Sequence, residues 1–294
     1  MGTGTPGDEL GRRGRLVRTA AERHGQGRRA DPGSWTARRI RPAPVAGRDP
    51  VNDLAGRSIL VVGGTAGIGL ATVRAVAARG ADVTVAGRRH DLARDLAAEV
   101  AGLGIRCDVR AEEECTAAVG AVLERFGRLD AVVYAAGISP LAELTAAGSV
   151  LWQDVLGTVL VGAAQTLRAA IPPLLEHDGR FVVLSSTMVG RPWPGMVPYA
   201  CARAGLEELV RGVRAEVPAL RVTRLVVGPT RTGFEAHFPP EEFASYVTRW
   251  RAAGLLAGRR SLTPGEVAEA IVVSLTTTGR LDELSVQPYA ERTE

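Results

Sequence analysis

From residue 58 onward, short apolar runs alternate with longer stretches whose apolar residues recur every three or four positions. The runs 58–62 (SILVV), 82–86 (DVTVA), 105–107, 130–134 (DAVVY), 181–185 (FVVLS) and 221–227 (RVTRLVV) read as strands. Residues 284–287 add a seventh candidate. Between them, 69–79, 92–100, 112–126, 150–175, 199–216 and 264–275 carry helical spacing. Gly80, Gly102, Gly127 and the Asp178-Gly179 pair supply stops. Strands that are apolar throughout are buried on both faces, and a helix between successive strands implies right-handed crossovers. The pattern predicts an α/β fold with a doubly wound parallel sheet of about seven strands in three layers, αβα.

The first 51 residues have a different texture. They are rich in Gly, Pro and Arg, carry eleven Arg against five acidic residues, and hold no apolar period longer than a turn. A disordered basic tail is expected there, followed by one domain at 52–294. The 294-residue chain has a net charge of +4, so the tail's excess leaves the remainder slightly acidic. A nucleic-acid-binding body would carry its basic charge on the folded domain, so no nucleic-acid partner is expected. No uninterrupted run of about 18 apolar residues points to a membrane span, and no apolar leader is visible. Cys107, Cys115 and Cys201 have neither an even count nor metal-ligand spacing, which favours a reduced, cytoplasmic setting without a metal. All 36 basic residues are Arg, since the chain has no Lys.

The candidate chemistry begins where the first strand meets Gly63-Gly64-Thr65-Ala66-Gly67-Ile68-Gly69 and a helix follows. In a Rossmann-like βαβ unit, Gly63 permits the tight turn and Gly67 lets backbone N–H groups approach a pyrophosphate. Gly69 brings helix and strand together, and the helix N-terminus favours the negative charge. Thr65, Ala66 and Ile68 complete this turn. An acidic residue at the end of the second strand would bond both ribose hydroxyls and repel a 2′-phosphate. Gly87 occupies that place, and Arg88 and Arg89 follow. Guanidinium groups there favour NADP(H) over NAD(H).

These features together resemble the short-chain dehydrogenase/reductase superfamily over about residues 54–287. The turn GGTAGIG is similar to the family's cofactor turn. Cys107-Asp108-Val109 resembles its pair beside the adenine, and Tyr134-Ala135-Ala136-Gly137 stands where the family has Asn-Asn-Ala-Gly. Ser186 closes the fifth strand, Tyr199 follows at the family's spacing, and Gly228-Pro229-Thr230-Arg231-Thr232 resembles the loop that holds the nicotinamide. The resemblance implies that Asp108 accepts from the adenine amino group and that Ser186 orients a substrate carbonyl. It further implies that Tyr199 is the proton donor and acceptor. A phenol with an ordinary pKa near ~10 needs a neighbouring cation to exchange protons at neutral pH.

Two positions depart from the family. Its Tyr-x-x-x-Lys is here Tyr199-Ala200-Cys201-Ala202-Arg203. Four residues is about one helical turn, so Arg203 shares a face with Tyr199 and supplies a fixed cation, and the resemblance implies that it bonds the nicotinamide ribose. Val159 stands where the family has an Asn that binds a relay water. The function implied is NADP(H)-dependent hydride transfer between nicotinamide and a small-molecule carbonyl or alcohol. Nucleotide binding without turnover, and dehydration or isomerisation on the same fold, are the alternatives. A substrate lid is expected at about 233–258, where Phe234, His237 and Phe238, with Trp193 and Met196 from an earlier loop, are candidate pocket residues. The small and apolar residues of 150–175 and 199–216 suggest a homodimer or homotetramer.

Overall fold

The computed structural model describes Met1 and residues 53–233, 238–256 and 260–289. The basic tail, Met1 apart, and the lid residues Phe234 and His237 lie outside the described residues. Seven strands form one sheet: β1 (Ser58–Val62), β2 (Asp82–Gly87), β3 (Leu103–Arg106), β4 (Ala131–Tyr134), β5 (Arg180–Ser186), β6 (Arg221–Val227) and β7 (Glu283–Val286). Their order is β3-β2-β1-β4-β5-β6-β7 and every pairing is parallel. The helices are α1 (Gly67–Ala77), α2 (His90–Glu99), α3 (Glu112–Phe126), α4 (Ser149–Leu156), α5 (Gly162–Glu176), α6 (Val197–Glu216), α7 (Pro240–Ala252) and α8 (Pro264–Thr276).

Alternate residues of each strand feed two apolar layers, as the twofold period of a strand requires. Leu60, Val62, Val132, Tyr134, Phe181 and Val183 face α3, α5 and α6. Ile59, Val61, Ala131, Val133, Val182 and Leu184 face α1 and α8. Burying each large apolar side chain contributes about 1.5–3 kcal/mol before entropy is counted. Arg180, itself buried, ties the layers at one edge by donating to the carbonyls of Ser274 and Thr277 at the end of α8. The strand order reverses between β1 and β4, and a doubly wound sheet opens a crevice beyond its carboxyl ends at that point.

The helix expected at 150–175 runs through Ser149–Glu176, with a π-turn at Gly157–Val161 joining α4 to α5. The fully buried Tyr134 reaches this turn and donates its hydroxyl to the Thr158 carbonyl at 2.5 Å. A Cβ at Gly162 would lie 2.5 Å from that hydroxyl, so the glycine makes room for the tyrosine. Burial raises the Tyr134 pKa well above the ordinary value, which keeps the group a neutral donor.

The same 28-residue helix is long and apolar enough to cross a membrane by length and composition, with a mean hydropathy of 1.3, although the sequence suggested no such span. Its apolar stripe, Val155, Val159, Ala163, Leu167, Ala170 and Leu174, is buried within the core. A helix packed on a sheet needs that stripe, and its hydropathy passes the same test as a span. Helix α7 was not anticipated inside the lid. Its Pro240 start, acidic first turn (Glu241, Glu242) and basic last turn (Arg249, Arg251) suit a short amphipathic helix.

Candidate active site

A cleft of about 1600 Å³ opens over the carboxyl ends of the strands. Every residue nominated from the sequence for cofactor binding or catalysis lines it. Gly63 and Gly67 have φ of +80° and +51°, which L side chains rarely adopt. A Cβ on Gly63 would meet the Ala136 nitrogen at 2.6 Å, and one on Gly69 would meet the Gly63 carbonyl oxygen at 2.1 Å. These contacts press β1, α1 and the end of β4 together. Ala66, the N-cap of α1, has extended backbone and no side-chain cap, so the first-turn N–H groups are left for a ligand. Thr65, Ala66 and Ile68 also line the cleft, and Thr232 faces Gly67 from the loop after β6.

At the next strand end, a Cβ on Gly87 would meet Thr65 Cγ2 at 2.7 Å. A side chain at this position would therefore require Thr65 to shift. Arg88 and Arg89 are exposed at the cleft and form no salt bridge among the described residues. Asp108, after β3, is held by Arg110, which donates Nε to one carboxylate oxygen at 3.0 Å and Nη2 to the other at 2.7 Å. These bonds lower the Asp108 pKa to about 2 against burial, so the group stays an ionised acceptor. A carboxylate offers about four lone-pair sites, and the Arg110 side chain uses two of them. Arg110 also donates to Asp154 of α4 at 2.7 Å and so fastens β3 to α4. Arg110 and Asp154 were missed in the sequence, because partners 44 residues apart leave no local pattern. Val109 packs beneath Asp108 in the core.

The catalytic candidates converge from three elements. Ser185 and Ser186 both end β5, but the Ser185 hydroxyl donates to the buried Glu207 at 2.6 Å. The Ser186 oxygen accepts from the Met188 N–H at 3.2 Å, and its own O–H has no acceptor among the described residues. Tyr199 and Arg203 lie one turn apart on α6, and the guanidinium sits over the phenol ring, 5.1 Å from its centroid. Arg203 is 6% exposed, donates Nη1 to the Leu184 carbonyl and leaves Nε buried without a partner among the described residues. A Cβ at Gly137 would lie 2.8 Å from Arg203 Nη2, so Gly137 gives the bulky fork its space. Val159 is fully buried among apolar side chains, while its neighbour Thr158 lines the cleft beside the π-turn.

Pro229 and Thr230 line the wall opposite α1, and Leu262 straps that loop by accepting from Arg231 N–H and donating to the Pro229 carbonyl. Trp193 and Met196, expected as exposed pocket residues, are 7% and 2% exposed. They are covered by α7, whose Tyr246 and Trp250 pack on them in a third apolar cluster. Phe238 and Phe243 line the same end of the cleft. The α7 aromatics escaped the sequence reading because an apolar stripe at helical spacing does not say what it packs against. Among the described residues no cluster of His, Cys, Asp or Glu could hold a metal.

The family model for short chain dehydrogenase matches residues 57–242. A Streptomyces violaceoruber protein named as a granaticin polyketide synthase ketoacyl reductase is 33% identical over 232 residues, covering 76% of this chain and 92% of the relative. Carbonyl reductase family member 4 of Danio rerio is 30% identical over 224 residues, covering 74% and 91%. Among solved structures, an alcohol dehydrogenase of the archaeon Thermococcus sibiricus complexed with 5-hydroxy-NADP superimposes with a TM-score of 0.69 at 26% identity, covering 81% of this chain and 99% of that one.

Proposed function

The chain belongs to the short-chain dehydrogenase/reductase family and is a nicotinamide-dependent hydride-transfer oxidoreductase, and from this we propose that it uses NADP(H) to interconvert a carbonyl and an alcohol. Three observations support the fit of a dinucleotide to this cleft. The N-terminus of α1 is uncapped, Gly63 and Gly67 form a cradle that side chains would fill, and the buried Arg203 Nε lacks a partner among the described residues. The preference for NADP(H) rests on Arg88 and Arg89, which stand at the cleft without a salt bridge among the described residues, while glycine occupies position 87, where a side chain would crowd Thr65. Asp108, ionised and fixed by Arg110, accepts from the adenine amino group, with Val109 beneath. Ala136 and Gly137 flank the nicotinamide side, and Pro229, Thr230 and Thr232 hold its carboxamide and the pyrophosphate.

The observation that carries the catalytic reading is the meeting of Ser186, Tyr199 and Arg203 in the same cleft as the glycine turn. A bound dihydronicotinamide would supply the hydride to the carbonyl carbon and be oxidised in doing so. As the C=O π bond breaks toward oxygen, the Tyr199 hydroxyl delivers the proton that completes the alcohol. Ser186 donates its hydroxyl to the carbonyl oxygen and holds it toward Tyr199. Arg203 stands as a fixed cation over the ring and stabilises the phenolate left after the proton moves. It donates to the ribose but does not shed a proton, because a guanidinium cannot readily do so. The phenol is then reprotonated from solvent along the cleft.

NADPH consumption with a panel of aldehydes, ketones and quinones tests this activity, and the absence of any turnover overturns it. A fluorescence titration tests the cofactor: NADPH binds more tightly than NADH, and equal or reversed affinity refutes the preference. The assembly read is a homodimer or homotetramer through the α4–α5 and α6 helices, supported by Val150, Val161 and Leu175, which are exposed on the first of these. Sedimentation at micromolar concentration showing only a 30.9 kDa monomer overturns it. A cytoplasmic setting is supported by three cysteines that are all free thiols.

A further inference from the structure

The end of the cleft beyond Ser186 and Tyr199 is built differently from the rest. Its walls come from the segment between β5 and α6, with Met188, Trp193 and Met196, and from α7, with Phe243, Val247 and Trp250. None of these side chains is charged, whereas Arg88, Arg89, Asp108 and Arg231 line the cofactor half of the same cleft. Two of the polar atoms around these walls are already engaged. Trp250 Nε1 donates to the Pro194 carbonyl at 2.8 Å, and the Tyr246 hydroxyl pairs with Glu143 outside the cleft.

The rings stand at angles to one another. Trp193 and Trp250 have centroids 5.1 Å apart at 58°, and Phe243 meets Trp250 edge-on at 6.1 Å. Such an arrangement leaves ring faces and edges on offer to a further ring. The chain is poor in these residues overall, at 4% aromatic with three Met. Yet six of its thirteen Phe, Tyr and Trp side chains lie in this cluster, together with both methionines that follow Met1. Methionine thioethers adapt their shape to a ligand and favour ring edges.

We propose that the substrate is an uncharged, bulky aromatic ketone, or the alcohol formed from it, whose only polar atom inside the pocket is the reacting oxygen. The inference rests on the carbonyl-reductase reading and specifies its substrate. The hydroxyls of Ser186 and Tyr199 meet that one oxygen, and the walls formed by Met188, Trp193, Met196, Phe243, Val247 and Trp250 offer apolar contact. A carboxylate, phosphate or polyol carried into this end would lose its water without gaining a partner, which disfavours it strongly.

The test compares 2-acetylnaphthalene with 6-acetyl-2-naphthoic acid and with hydroxyacetone, by NADPH consumption of the full chain. The first pair share ring and carbonyl and differ by one charge. The expected kcat/KM favours 2-acetylnaphthalene by about 100-fold or more over both others. Equal rates, or preference for either polar ketone, overturn the substrate class while leaving the reductase reading intact. Turnover of none of the ketones in this or the wider panel, with NADPH still bound, overturns the reductase reading instead. The pocket is then judged separately by quenching of tryptophan fluorescence on titration with 2-naphthol in the presence of NADP⁺. Saturable quenching that weakens at least about tenfold in Trp193→Leu and in Met196→Ala, each still binding NADPH, supports the aromatic pocket. No quenching, or quenching unchanged in both variants, overturns it.

Discussion

The two halves of the cleft are made of different material. The cofactor half is built mainly from backbone: two left-handed glycines, an uncapped helix start, and contacts between main-chain atoms of β1, α1 and β4. The substrate half is built from side chains, with Met188, Trp193, Met196, Phe243 and Trp250 meeting across the space between a loop and α7. A ligand common to many proteins can be gripped by backbone, whose geometry tolerates no added atom. A ligand particular to one protein needs side chains, whose volume and polarity can be exchanged without disturbing the sheet. Changes in the first half should therefore register as stability and nucleotide affinity, and changes in the second as selectivity.

The largest effect belongs to the junction of the halves. Tyr199→Phe removes one hydroxyl and keeps the ring under Arg203, so NADPH affinity holds while turnover falls by about 10²–10⁴. Steady-state kinetics beside a binding titration separates the two, and an unimpaired Tyr199→Phe enzyme removes the tyrosine from the mechanism. Next comes Gly69→Ala. Its Cβ would sit 2.1 Å from the Gly63 carbonyl oxygen, a clash between backbones that only a shift of α1 can relieve. Thermal or urea unfolding should show a loss of about 1–3 kcal/mol, with nucleotide binding weakened as well. A neutral result would break the contrast, since the cofactor half would then tolerate side-chain volume.

Arg88→Asp tests whether any side chain matters in that backbone-built half. NADPH binding is expected to weaken about tenfold or more with NADH binding spared, as a lost charge-assisted contact predicts. The smallest effect concerns Asp108. Its carboxyl is lowered from 3.8 to about 2, so the stability it contributes is complete above pH ~4 and disappears as pH falls through 2. Asp108→Asn should cost about 1 kcal/mol near neutrality, discounted because the Arg110 partner is open to water. Its unfolding curve should approach that of the wild type as pH falls below 2. A deficit that stays at its neutral-pH size as pH falls to 2 would assign the loss to packing rather than charge.

Legibility followed the same division. The strand runs, the glycine turn and the placing of Arg203 beside Tyr199 could all be read, because each depends on neighbours within a turn or a strand, and the serine-to-tyrosine spacing was legible through the resemblance to the family. Arg110 and Asp154 could not be read, since their bond joins residues 44 apart. Nor could the pairing of Tyr134 on β4 with Gly162 at the start of α5, where the hydroxyl fills the space a Cβ would take. The aromatics of α7 carried a helical period but no sign of the Trp193 and Met196 surface they cover.

The sequence by itself determined the parallel sheet and the dinucleotide turn, because periodic burial and left-handed backbone are local properties, while the catalytic candidates followed from its resemblance to the family. Only the tertiary structure decided what engages the Ser185 hydroxyl, how a guanidinium fits over Tyr199 and what lines the substrate end. Ser185 is withdrawn by Glu207 from a different element, Arg203 finds its space over Gly137 at the end of β4, and the pocket closes when α7 folds across a loop some fifty residues earlier. Each of these depends on which surfaces meet. Close packing settles such meetings only when the whole chain is in place.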